Sequence, residues 1–276
     1  MAEFHEFNNY DNNGSYNNGN DGQYHFDNYD LGGGYAQNVY RGADAYAPSL
    51  SLSGYIAKTF LWMFAGLMLT FAVSLGMLLS GATYNLVMGA GSLALIGVLI
   101  AQLAVVMILS TKVRSLSVGA ARALFMAYAA LNGVAFSVYF VYFDLTVLVL
   151  AFGATALLFG GMAVASLVFK LELDTIRPFL FGGLIMLLVF GVLGYFLNLG
   201  VFNTLICYLG IAIFMGYTAY DTSKIKDNYN YYVATGDNAM LEKASVFSAL
   251  QLYLDFVNLL LYIIRLFART GGRKSK

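Results

Sequence analysis

From Gly54 onward, apolar residues come in seven long blocks separated by short polar breaks. The blocks cover 55–79, 85–109, 120–142, 145–169, 179–199, 202–220 and 244–267. Each is near the ~20 residues that a helix needs to cross a bilayer core. Breaks such as "SGATY" and "NLGVF" are short enough for tight hairpins. Pro178 stands where a helix N-terminus tolerates proline. Gly160 with Gly161, Gly182 with Gly183, and Gly191 with Gly194 offer smooth patches for close helix contact, because lipid supplies no hydrophobic drive for association. The pattern predicts an all-α polytopic membrane protein, a seven-transmembrane-helix bundle occupying residues 48–270.

The flanks are of different material. Residues 1–47 are Asn, Gly, Asp and Tyr with scarcely an aliphatic side chain. Such a segment cannot bury enough apolar area to offset chain entropy, so it reads as a disordered tail. It lacks the basic start and apolar run of a cleavable signal peptide. Residues 271–276 form a short basic tail.

Composition narrows the class. Hydrophobic residues make up 59% of the chain and charged residues 11%, with mean hydropathy +0.68. A soluble domain carries about a quarter charged residues, so most of this surface must face a lipid bilayer. The formal net charge is zero, which speaks against nucleic acid. The lone Cys207 excludes an intramolecular disulfide framework and a cysteine-based zinc site, and reads as a small buried hydrophobe. The two histidines, His5 and His25, lie in the polar tail. No resident metal or cofactor is expected.

Basic residues between the blocks fall in alternate links: Lys112, Arg114 and Arg122; Lys170 and Arg177; Lys224, Lys226 and Lys243. The positive-inside rule then places these links and the N-terminus in the cytoplasm of a multi-pass cell-membrane protein. The C-terminal Arg265, Arg269, Arg273, Lys274 and Lys276 run against that rule. Either the seventh segment crosses against its charge or it re-enters, and its length favours crossing.

Charges inside the blocks are rare and therefore informative. An ionisable group at a helix centre costs ~2.5–3.5 kcal/mol on insertion scales, which makes it a functional candidate by default. In the seventh block, Gln251, Asp255, Asn258, Tyr262 and Arg265 recur at i, i+4, i+7, i+11 and i+14, with Ser248 at the margin. That spacing draws one narrow polar stripe on a lipophilic helix, and the stripe must face the interior or water. The last helix is therefore expected at the centre of the bundle. Asp221 ends the sixth block, where exposed helix carbonyls would make a negative pole that disfavours a surface carboxylate by ~0.3–1 kcal/mol. The plainer alternative is an interfacial helix end paired with Lys224 or Lys226. Gln102, alone in the second block, reads as an interhelical hydrogen-bonder.

"GYTAYDTSKIK" followed by "ALQLYLDFVNLLLYIIRLF" resembles the signature of the transmembrane Bax inhibitor motif family in its bacterial branch. The resemblance covers residues 50–270. It implies a bacterial plasma-membrane protein with a central last helix and a calcium leak gated by pH. It also implies that Asp221 and Asp255 form a paired proton sensor that transiently holds Ca²⁺, the permeating ion. A basic residue at the end of the second helix, Arg114 or Lys112, would latch Asp221 in the closed state. Some relatives carry a glutamate where this chain has Gln102. Other bacterial relatives restrain a membrane-anchored AAA-type protease, so a non-transporting regulator is the alternative. An enzyme is not expected: an intramembrane aspartyl protease would carry Gly-x-Gly-Asp at its second aspartate, and this chain has "LYLD".

Overall fold

The computed structural model describes residues 50–89, 91–112, 115–169, 173–197 and 200–271. The polar tail, Arg114, Lys170 and the basic residues after Gly271 lie outside them. Seven of the described helices are long and apolar enough to span a membrane. They are α1 (Leu52–Leu79), α2 (Gly91–Lys112), α3 (Val118–Tyr142), α4 (Leu145–Phe169), α5 (Arg177–Leu197), α6 (Gly200–Ala234) and α7 (Asn238–Gly271).

Local chemistry sets the helix ends. Ser51 and Ser117 cap α1 and α3, their hydroxyl oxygens accepting from the amides of Gly54 and Ala120 at 3.1 Å. Gly81 turns the chain out of α1 at φ +73°, a region where only glycine is unstrained. The second block is interrupted after that turn. A single turn, Ala82–Tyr84, and a π-helical stretch, Asn85–Gly89, precede α2.

The largest departure from expectation is at α6 and α7. The sixth helix does not end at Asp221 but continues thirteen residues to Ala234, and the seventh begins at Asn238. The chain "TGD" between them carries the stop and start. Gly236 adopts φ +68°, and Asp237 Oδ1 accepts from the Met240 amide at 2.8 Å. The negative pole expected at Asp221 is therefore absent, because the carbonyls there are bonded within the helix. Each helix is roughly 50 Å long at ~1.5 Å per residue, well beyond a bilayer core. Helix α7 is continuous from Asn238 to Gly271 and is long and apolar enough to cross a membrane.

Helix α7 is central. It packs against α6, α1, α4 and α3. Of its most apolar window 67% is buried, against at most 33% in any other span. Its Tyr253 is fully buried, edge-on to Phe125 and Tyr128 of α3, and its hydroxyl lies 2.6 Å from the Thr70 hydroxyl of α1. Helices α2 and α5 form the periphery, with 6% and 11% of their windows buried.

Most of the glycines that allow close approach are not the expected ones. A Cβ at Gly160, Gly161, Gly182 or Gly191 would meet nothing within 4 Å. At Gly133 it would lie 2.7 Å from the Thr70 carbonyl, and at Gly210 it would lie 2.6 Å from the Tyr262 ring. Of the expected patches, Gly183 makes such a contact, against Ile213. Exposed Gly161, Gly182 and Gly191 mimic an interface motif without making one.

Candidate functional site

The α6–α7 hairpin places the two aspartates together by register. Asn228 donates to the Ser248 hydroxyl at 3.4 Å near the turn. Seven residues along each helix, the Asp221 and Asp255 carboxyls are side-chain neighbours, close enough to interact directly. Seven more bring Phe214 over Tyr262, with ring centroids 5.9 Å apart. A seven-residue step on both helices is the repeat that keeps one seam facing a partner along antiparallel or parallel pairs. The carboxylate pair is thus one layer of a heptad seam.

Asp255 is 4% exposed, and its Oδ2 has no hydrogen-bond partner among the described residues. Asp221 is half-buried and opens onto a recess of about 560 Å³. Asp174, Arg177, Tyr220, Lys224, Asn228 and Gln251 share its wall. The cation in electrostatic contact with Asp221 is Arg177, the first residue of α5. Lys112, one of the two expected latch residues, is exposed at the end of α2, which packs on α3. The other, Arg114, lies outside the described residues.

The polar stripe divides into parts with different tasks. Gln251 faces the recess. Asn258 spends its amide on its own helix, donating to the Leu254 carbonyl at 2.8 Å. Tyr262 fills the space over Gly210, and the exposed Arg265 guanidinium lies 5.4 Å from its ring centroid. Gln102 buries its amide nitrogen without a partner among the described residues, so the expected interhelical bond from that nitrogen is not made.

Sequence reading missed a second charged centre. Glu242 of α7 accepts from Lys58 of α1 at 2.7 Å and from Arg122 of α3, whose guanidinium also lies over Trp62 at 5.5 Å. Three helix N-terminal ends are tied by one carboxylate. Nearby, Lys226 donates to the Leu167 carbonyl at 2.8 Å and closes the C-terminal turn of α4. Lys243, expected in a link, is buried within α7. Helix caps would have revealed this centre, because "TGDNAM" moves Glu242 from a loop into the first turns of a helix. Among the described residues, no group of three or more His, Cys, Asp or Glu forms a metal cage.

The family model for the inhibitor of apoptosis-promoting Bax1 matches residues 52–272, the whole helical bundle. The chain belongs to the Bax inhibitor family. The inner membrane protein YbhL of Escherichia coli K12 is 36% identical over 227 residues, covering 82% of this chain and 95% of that protein. A Deinococcus radiodurans protein is 35% identical over 212 residues, covering 77% and 89%. An uncharacterized membrane protein of Streptococcus pyogenes serotype M3 is 32% identical over 173 residues, covering 63% and 73%. This Bax inhibitor family member is thus an integral membrane protein, with the carboxylate pair inside the matched region.

Proposed function

We propose that this Bax inhibitor family protein is a pH-sensitive calcium leak whose sensor is the Asp221–Asp255 pair. The observation that carries the reading is the meeting of two carboxyls in one helical hairpin, one of them buried with an oxygen that has no hydrogen-bond partner among the described residues. Carboxylates this close titrate as one unit, so a single proton changes the charge of the whole site. When both are ionised they present hard oxygen ligands of the kind Ca²⁺ prefers. With one proton shared, the site loses half its charge and pulls less strongly on Arg177. The change is passed to the start of α5, where Arg177 and Asp221 share the recess.

The basic residues cluster with the recess. Lys58, Arg122 and Glu242 join the N-terminal ends of α1, α3 and α7, while Lys224 and Arg177 border the recess itself. The positive-inside rule favours that end as cytoplasmic, in a bacterial plasma membrane. The test is Ca²⁺ entry into liposomes holding only the purified protein, followed from about pH 6 to pH 8. Flux that changes with pH supports the leak. Silence at every pH would remove it and leave the regulator of a membrane-anchored protease as the alternative.

A further inference from the structure

The recess beside Asp221 already holds a cation, and that cation is covalently part of the chain. Lys224 Nζ lies 2.6 Å from Asp174 Oδ1, in the turn leading into α5, and 2.9 Å from Asp227 Oδ2, one turn further along α6. It also stands 5.6 Å from the ring centroid of Tyr220. Lys224 follows Asp221 by three residues, so both project from the same side of α6 into the same recess. The lysine side chain is the least exposed of the three. The Lys224 side chain is 27% exposed, whereas those of Asp174 and Asp227 are 74% and 62% exposed. An ordinary surface ion pair has the lysine head outermost, in water. Here the lysine stem lies along the wall of the recess and its ammonium bridges carboxylates from two elements, Asp174 and Asp227. Asp221 in turn neighbours the buried Asp255, whose Oδ2 has no hydrogen-bond partner among the described residues.

We propose that Lys224 is a tethered counter-ion for the recess, standing at its mouth in place of a soluble cation and setting the concentration at which a divalent ion can enter. The inference rests on the cation-leak reading of the Asp221 recess and adds the element that restrains it. Lysine suits the task because its ammonium is a compact point charge on a flexible stem, able to leave without moving a helix. Arg177, on the other wall, starts a helix and carries a broader, delocalised charge. When a divalent ion arrives, Lys224 keeps Asp227 as a partner on its own helix and releases Asp174, which frees the lead-in to α5.

Terbium(III), a luminescent substitute for Ca²⁺, provides a test that does not depend on transport. It is titrated into the detergent-solubilised full chain, with emission excited through tyrosines such as Tyr220. Lys224→Met keeps the apolar stem and removes the charge. It should tighten Tb³⁺ binding about two- to fivefold, the scale of one partly exposed ion pair. Lys224→Arg keeps the charge and should stay near wild type. Adding Asp221→Asn to Lys224→Met should abolish the gain. Equal affinity in wild type and Lys224→Met, no binding in either, or a gain that survives Asp221→Asn would each overturn the proposal. Liposome flux separates the two layers. Absent Ca²⁺ flux with tightened Tb³⁺ binding would refute the leak and keep the role of Lys224, whereas pH-dependent flux with unchanged Tb³⁺ affinity would do the reverse.

Discussion

Asp255 and Glu242 sit on the same helix and are opposites in bonding. Glu242 has a cation on each oxygen, from Lys58 and Arg122. Asp255 has a second carboxyl as its neighbour and one oxygen with no hydrogen-bond partner among the described residues. Uncompensated burial of a polar group costs free energy, so stability should respond to the two sites with opposite sign. Glu242→Gln strands two partly buried cations and should lower stability by about 1–2 kcal/mol, between the surface and buried ranges for ion pairs. Asp255→Asn removes a like-charge contact and should raise it by about 1 kcal/mol, the usual trade at a functional residue. Thermal unfolding in detergent measures both. A loss at Asp255 comparable with that at Glu242 would mean that Asp255 is a structural hydrogen-bonder. Asp255 was visible in the sequence because a charge in an apolar block is expensive. Glu242 was not, because it sat among polar residues that looked like a loop.

At the scale of elements, hydrophobic length located seven helices but misplaced the inner ends of α6 and α7. Lipid-exposed length is what a hydropathy pattern measures, and both helices continue past it into polar surroundings. The marks of the true ends were capping residues, Gly236 and Asp237, rather than apolar ones. The stripe on α7 was legible for a related reason: a polar face on a lipophilic helix has few places to go. Its partner on α6 was written as a heptad at Phe214, Asp221 and Asn228, a spacing noticed only once the hairpin is seen. Which glycines touch another helix could not be read from pairing in sequence, since contact depends on rotation about the axis. Gly133→Ala should cost about 1–3 kcal/mol, because its Cβ would meet the Thr70 carbonyl, which cannot swing aside. Gly161→Ala, with nothing within 4 Å, should be near neutral. Thermal midpoints of the two variants check this, and equal losses would contradict the packing described.

In the helical unit, α1, α3, α4 and α6 pack against α7, with α2 and α5 outside them, and charged side chains gather at both ends. Lys58, Arg122, Glu242, Lys226 and Lys224 all bind across helices there, and Arg265 and Arg269 stand at the other end, beside Cys207. If α7 crosses, the two groups lie on opposite sides of the membrane. With Cys207 replaced by alanine, single cysteines at Ser115 and Arg269 should react with an impermeant reagent from opposite faces in intact cells and inverted vesicles. Labelling of both from one face would mean that α7 does not cross.

Whether Asp221 and Asp255 act as one titrating unit is tested most directly by the pH profile of Ca²⁺ flux in liposomes for three variants beside wild type. Asp221→Asn and Asp255→Asn each fix one member at zero charge while keeping its shape. Either should flatten the profile between about pH 6 and pH 8, and the double variant should add little, because members of one coupled network are not additive. Single variants that are correctly inserted and keep the wild-type profile would contradict the account.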